Sequence, residues 1–147
     1  MRWAVPDGVR QPRGRGGGQK AAYHSGFVHG SGNVTMSTLF SRIIAREIPA
    51  DIVYEDADCL AFRDINPQAP VHVLLIPKLE IARLADAAPE HEALLGRLML
   101  AAGRVARQLG VGDAFRVVVN SGAGAGQTVF HLHLHILAGR PLQWPPG

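Results

Sequence analysis

Three histidines stand at every second position in Phe130-His131-Leu132-His133-Leu134-His135-Ile136, and no other part of the chain gathers as much reactive chemistry. On an extended strand successive side chains point to opposite faces. The spacing therefore predicts a strand over 130–137, with three imidazoles on one face and Phe130, Leu132, Leu134 and Ile136 on the other. A lone histidine is often a hydrogen-bonded core residue, but three in register ask for a function. Two chemistries suit them. Imidazole is a common ligand of zinc, copper and iron, and His-x-His on a strand can chelate. A neutral imidazole, with an ordinary pKa of ~6.5, is also a nucleophile near pH 7.

The segment just upstream weighs between the two. Asn120-Ser121-Gly122-Ala123-Gly124-Ala125-Gly126-Gln127-Thr128 alternates glycine with small residues. Glycines let main-chain N–H groups approach an anion closely, and such concavities bind phosphate. Gln127 and Thr128 add side-chain donors at the mouth of the histidine strand. Beside three imidazoles this loop points to phosphate rather than metal. The sequence also offers no nearby carboxylate or thiolate to complete a common metal set, so neither a metal nor another cofactor is expected.

The elements that must hold these groups follow from hydrophobic periodicity. Leu39, Phe40, Ile43, Ile44 and Ile48 predict a short amphipathic helix stopped by Pro49. Residues 52–54 and 59–62 read as a hairpin around the acidic turn Glu55-Asp56-Ala57-Asp58. A turn-rich loop at Asn66–Pro70 leads into a buried strand over 71–76, ended by Pro77. One long helix is expected from Glu90 to Leu109, with Leu94, Leu98, Ala101, Val105 and Leu109 on one face and Gly110 as its stop. Strands over 115–119 and 130–137 complete the order. Tight connections among the first strands favour an antiparallel sheet, hence an α+β fold.

With 147 residues the chain favours one folded domain, and 47% hydrophobic with 18% charged residues excludes wholesale disorder. The longest apolar runs fall far short of the ~20 residues of a membrane helix, so no membrane partner is expected. A single cysteine, Cys59, excludes a disulfide framework and makes a reducing, cytoplasmic setting the default. The net charge of +3 suggests nucleic acid until it is located. Up to Thr35 there are five basic residues and one acidic; from Met36 onward there are ten basic and eleven acidic. The basicity belongs to residues 1–35, an Arg/Gly-rich stretch expected to be a flexible extension, and the domain over 36–147 needs no polyanionic partner. His24, His29 and His91 read as solvated.

His-φ-His-φ-His-φ-φ, with φ apolar, resembles the histidine triad (HIT) superfamily. The helix Phe40–Ala50, the segment Asp64-Ile65-Asn66-Pro67-Gln68-Ala69-Pro70-Val71-His72 and the closing Trp144-Pro145-Pro146-Gly147 resemble its Hint branch, the histidine triad nucleotide-binding proteins. The resemblance implies a five-stranded antiparallel sheet with two helices, dimerising into a ten-stranded sheet. It implies hydrolysis of purine nucleoside 5′-phosphoramidates of AMP or GMP type through a nucleotidyl-histidine intermediate. His133 would be the nucleophile, with His131 and His135 positioning the phosphate and His72 joining from the neighbouring strand. Asn120, Gly126, Gln127 and Thr128 would hold phosphate and leaving group. Asp64 would accept from the ribose hydroxyls, while Leu39, Phe40, Ile43, Ile48, Phe62 and Ile65 would wall the purine. Trp144 would reach the partner subunit's site. Thr128 stands where the branch often has serine, and Arg63 and Glu80 stand where related members carry histidine; these departures bear on substrate preference. A nucleotide-binding regulatory protein and a histidine-based metal protein are the alternatives.

Overall fold

The computed structural model describes residues 37–147, so the extension expected over 1–35 lies outside the described residues. Thr38 opens helix α1 (Leu39–Ile44): its hydroxyl accepts the Ser41 N–H at 3.1 Å, satisfying one of the helix's free donors. The helix stops at Ile44, five residues short of the expected Pro49. Arg46 takes a left-handed φ of 62°, its N–H bonds Ile43 O at 3.0 Å, and the Glu47 N–H bonds Arg42 O at 2.9 Å. That pair of bonds is a Schellman closure, here built without glycine. It folds Ile48 and Ala50 back onto Phe40 and Ile43 instead of extending the helix.

Strands β1 (Ile52–Glu55) and β2 (Cys59–Arg63) form the expected hairpin. Asp56 closes its turn, accepting the N–H groups of Asp58 and Cys59 at 2.8 Å and the Tyr54 hydroxyl at 2.7 Å. Burial pushes its pKa up, but these bonds outweigh it and hold the carboxyl at about 2. Strand β3 (Val71–Pro77), helix α2 (Glu92–Gln108), β4 (Phe115–Val118) and β5 (Leu134–Ala138) follow. The sheet is antiparallel in the order β1-β2-β3-β5-β4, so five strands and two helices make the α+β fold expected. The long helix starts two residues late, behind a 3-10 turn at Pro89–His91. His91 is not simply solvated: it is partly buried, and its Nδ1 accepts the Ala88 N–H at 3.0 Å.

Period two sorts the sheet's residues between two cores. Cys59, Ala61, Val73, Leu75, Leu134 and Ile136 pack against Leu94, Leu98, Ala101 and Val105 of α2. Leu60, Phe62, Leu74 and Ile76 face the other way, toward Phe40 and Ile43 of α1. Both faces of β2 and β3 are covered, which explains their unbroken apolar runs. His72 and His135 fall on the α1 face by the same alternation.

The histidine strand is shorter than its alternation predicts. Its ladder begins at Leu134, opposite Leu75, and residues 130–133 lie off the sheet. β3 ends at Pro77, which has no N–H to donate, and the Leu132 N–H bonds Ile81 O at 2.6 Å instead. Leu132 is still buried, but Phe130 is 43% exposed rather than part of the apolar face.

Candidate active site

A cleft of about 650 Å³ opens between α1, the chain returning through Pro49–Asp51, the end of β2 and the histidine segment. Its walls include Leu39, Phe40, Ile43, Ile48, Phe62 and Ile65. Asp64, Thr128, His133 and His135 also line it, so ten of the expected site residues converge here. The volume and apolar walls suit a heterocyclic ligand, with few polar groups to orient it.

The imidazoles divide into three roles, and their partners decide which nitrogen holds the proton. His131 is fully buried, and its Nε2 lies 2.8 Å from Pro77 O, an acceptor only. Nε2 must therefore carry the proton, while Nδ1 faces the Thr38 hydroxyl at 3.4 Å. This histidine ties β3's end to α1's cap and does not reach the cleft wall. His133 places Nδ1 2.7 Å from its neighbour's carbonyl, His131 O. Nδ1 must donate there, which leaves Nε2 as a bare lone pair. Phe40 meets this ring edge-to-face, centroids 5.0 Å apart.

His135 is reversed. The Gln68 main-chain N–H donates to His72 Nδ1 at 3.0 Å, so the His72 proton sits on Nε2. That Nε2 lies 2.9 Å from His135 Nδ1, which must accept, and His135 carries its own proton on Nε2. The two cleft-lining rings, with centroids 5.0 Å apart, thus offer one lone pair and one N–H. Burial lowers the pKa of both. For His135, with His133 and His72 close by, the fall reaches about 4; burial likewise lowers His72, against the opposing pull of Asp64. All three are neutral at pH 7.

Asp64 is both turn residue and cleft residue. Its Oδ1 accepts the Asn66 N–H at 2.8 Å, and its Oδ2 lies 3.4 Å from His72 Nε2. The sequence reading found no carboxylate near the triad; pairing of β2, β3 and β5 supplies one, and Asp64, His72 and His135 form the one His/Cys/Asp/Glu cluster with metal-binding spacing among the described residues.

The glycine loop departs from expectation at Gln127. This side chain is buried, and its amide donates to Ala82 O at 2.8 Å and Val129 O at 3.0 Å while accepting the Gly122 N–H at 2.8 Å. Both of its donors are used inside the protein, so it clamps the loop rather than offering N–H groups to a ligand. Gly126, at φ 90°, needs glycine, and the Asn120 amide lies beside it. Asn120, Gly126, Gln127, His72, His131 and Trp144 are not on the cleft wall. Trp144 is 83% exposed near the chain's end. Sequence reasoning missed Thr38, the Gln68 main chain and Asp51, which pairs at 3.3 Å with the Arg63 it had singled out at the cleft's rim. Thr38 was findable as an N-cap; Gln68 acts through its main chain and leaves no side-chain signal.

Comparison with known proteins identifies the family. The HIT domain family profile matches residues 45–142, two thirds of the chain. A HIT-like protein of Synechocystis is 68% identical over 110 residues, covering 75% of this chain and 96% of that protein. A 14 kDa zinc-binding protein of Zea mays is 51% identical over 112 residues, covering 75% of this chain and 88% of its own. Among solved structures, a HIT family hydrolase from Legionella pneumophila aligns with a TM-score of 0.74 at 46% identity, over 76% of this chain and all of that one. A histidine triad nucleotide-binding protein from Candida albicans aligns with a TM-score of 0.64 at 30% identity, over 74% of this chain and 83% of that one. The fold is that of these α+β proteins, and the chain belongs to the HIT domain family.

Proposed function

We propose that the protein is a hydrolase that cleaves the P–N bond of purine nucleoside 5′-phosphoramidates through a nucleotidyl-His133 intermediate. The observation that carries this reading is the opposed protonation of the two cleft histidines, a bare Nε2 on His133 and an N–H on His135. His133 Nε2 attacks the α-phosphorus and forms a P–N bond while the bond to the amine breaks. The His135 Nε2–H, which a neutral imidazole keeps, donates a hydrogen bond to a phosphoryl oxygen, and the amine takes its proton from solvent, because an amide anion is too poor a leaving group to depart unaided. Water then attacks phosphorus, gives its proton back to solvent and releases His133 and the nucleoside monophosphate. Each proton is accounted for, and neither step calls for a metal.

The purine occupies the wall formed by Phe40, Ile43, Ile48 and Phe62, with Leu39 and Ile65 at its open edge. Asp64 retains lone pairs for ribose hydroxyls beyond the one engaged by Asn66. Thr128 faces the phosphate, and Gln127, Gly126 and Asn120 shape the loop behind it. Purified protein assayed with AMP- and GMP-phosphoramidates of several amines, in chelator, should release nucleoside monophosphate and trap as a phosphohistidine-type adduct. Hydrolysis that stops in chelator, or proceeds with no adduct on rapid quench, would overturn the mechanism.

The maize relative's name raises zinc, for which Asp64, His72 and His135 are the donors. They do not fit. A ligating nitrogen must offer a lone pair, but the Gln68 N–H occupies His72 Nδ1 and so keeps a proton on the Nε2 that faces Asp64 and His135.

The same reading makes the protein a cytoplasmic homodimer. β4 pairs on one side only, with β5, and Met99 and Leu100 are exposed on α2, so a second copy could continue the sheet and cover that face. No helix among the described residues is long and apolar enough to cross a membrane.

A further inference from the structure

The donor character of His135 depends on a contact made outside the cleft. Gln68 lies in the loop before β3, and its main-chain N–H can only donate, so with the weaker pull of Asp64 Oδ2 at 3.4 Å it holds the His72 proton on Nε2. If that N–H turned away, His72 could carry its proton on Nδ1 and accept at Nε2. His135 would then have to donate from Nδ1, which would leave its Nε2 bare. The cleft would hold two lone pairs and no N–H donor.

Little packing secures this loop, because Ile65, Asn66, Pro67 and Gln68 are all exposed. Hydrogen bonds hold it instead. The Asn66 N–H is engaged by Asp64, and the Gln68 side-chain amide donates to Asn66 O at 3.0 Å. From the far side, Arg140 donates to Gln68 O through Nη2 at 3.1 Å and Nε at 3.4 Å, with Nη1 on Pro141 O at 3.0 Å. Arg140 is brought there by Gly139, at φ 92°, where a Cβ would stand 2.8 Å from Pro70. Only glycine allows the exit of β5 to lie so close against the loop.

We propose that Arg140 is a positioning residue: by holding Gln68 it keeps His72, and through it His135, in the Nε2–H tautomer. Its side chain is not on the cleft wall, and its influence passes through two main-chain groups and one imidazole. The tautomer assignment stands without any reaction; its effect on turnover rests on the proposed phosphoramidate chemistry.

Long-range ¹H–¹⁵N correlation of histidine rings separates the tautomers directly. Wild-type protein should show His72 and His135 as Nε2–H and His133 as Nδ1–H. Arg140→Ala should mix the tautomers of His72 and His135 and leave His133 unchanged, since its partner is His131 O. With a phosphoramidate substrate, kcat should fall on the order of tenfold, the lower end of what orienting partners of functional histidines contribute, with KM and melting temperature close to wild type. Arg140→Lys, which keeps a donor for Gln68 O, should recover most of both readouts. Gln68→Pro removes the N–H itself and should shift both rings with Arg140 in place. The proposal is overturned if wild-type His135 carries its proton on Nδ1. It is equally overturned if Arg140→Ala loses turnover with wild-type tautomers, or leaves both untouched. Should phosphoramidates not be substrates, the NMR result alone decides the clamp.

Discussion

At the scale of single residues, alternation groups His133 and His135, which line one cleft, but it could not separate His131 from them. What removes His131 from the wall is a carbonyl 54 residues away, Pro77 O, and the Thr38 hydroxyl 93 residues away, neither visible in local spacing. The two histidines should therefore fail differently. His133→Ala should lower turnover by more than about a thousandfold, ~4 kcal/mol, with little change in stability, because the attacking atom is lost. His131→Ala should instead cost about 2–4 kcal/mol of stability, leaving Pro77 O unpaired beside a cavity, with a smaller loss of rate. Urea titration and kcat/KM on both variants check this; equal losses of rate at equal stability would put His131 on the substrate. Proton linkage gives a second test. Burial lowers His133, His135 and His72 below the ordinary 6.5, His135 to about 4. Between those limits the unfolded chain binds more protons, so the stability these rings contribute is complete above pH 6.5 and is lost as pH falls toward 4. Melting temperature should drop across that window, and His135→Asn should flatten the drop. The acid limb of kcat/KM should lie below pH 6.5, where free imidazole would put it. Asp56, held at about 2, loses its contribution only at lower pH and does not blur the window.

At the scale of elements, β2, β3 and α2 were legible because each carries one unambiguous period. α1 and the histidine strand were not, since their ends depend on contacts rather than composition. Arg46 ends α1 with a left-handed turn that no glycine announces, and Pro77 ends the partner on which residues 130–133 would have paired. The glycine loop shows the same limit: glycines marked it as close to a ligand, but which donors remain free depends on where Gln127 points. Gln127→Ala removes two donors and an acceptor from buried main-chain partners and should cost about 1–3 kcal/mol by chemical denaturation. Its kinetic effect should appear in KM, through loosening of the loop that carries Thr128. A collapse of kcat at unchanged stability would mean that Gln127 touches the reacting phosphate after all.

At the scale of the whole molecule, the described chain leaves an edge and an end that its own cleft does not use. β4 lies at the margin of the sheet, and Arg116 within it donates to Gln143 O at 2.7 Å, which anchors the C-terminal segment beside that margin. Trp144, the next residue, is 83% exposed and absent from the wall of its own cleft. If two copies join edge to edge along β4, each brings its Trp144 to the seam, within reach of the other's leaving-group side. The anchor is what turns a long exposed tryptophan into a placed one. Truncation before Trp144 should leave a dimer by sedimentation, because β4 and the α2 face with Met99 and Leu100 remain. Preference among amine leaving groups should nevertheless shift by about tenfold, ~1.4 kcal/mol, the contribution expected from one aromatic contact to the departing group. Leu100→Glu puts a charge into the proposed seam and should give monomers with the same altered preference, although Trp144 is intact. Monomers that keep the wild-type preference would show that Trp144 acts, if at all, within its own chain.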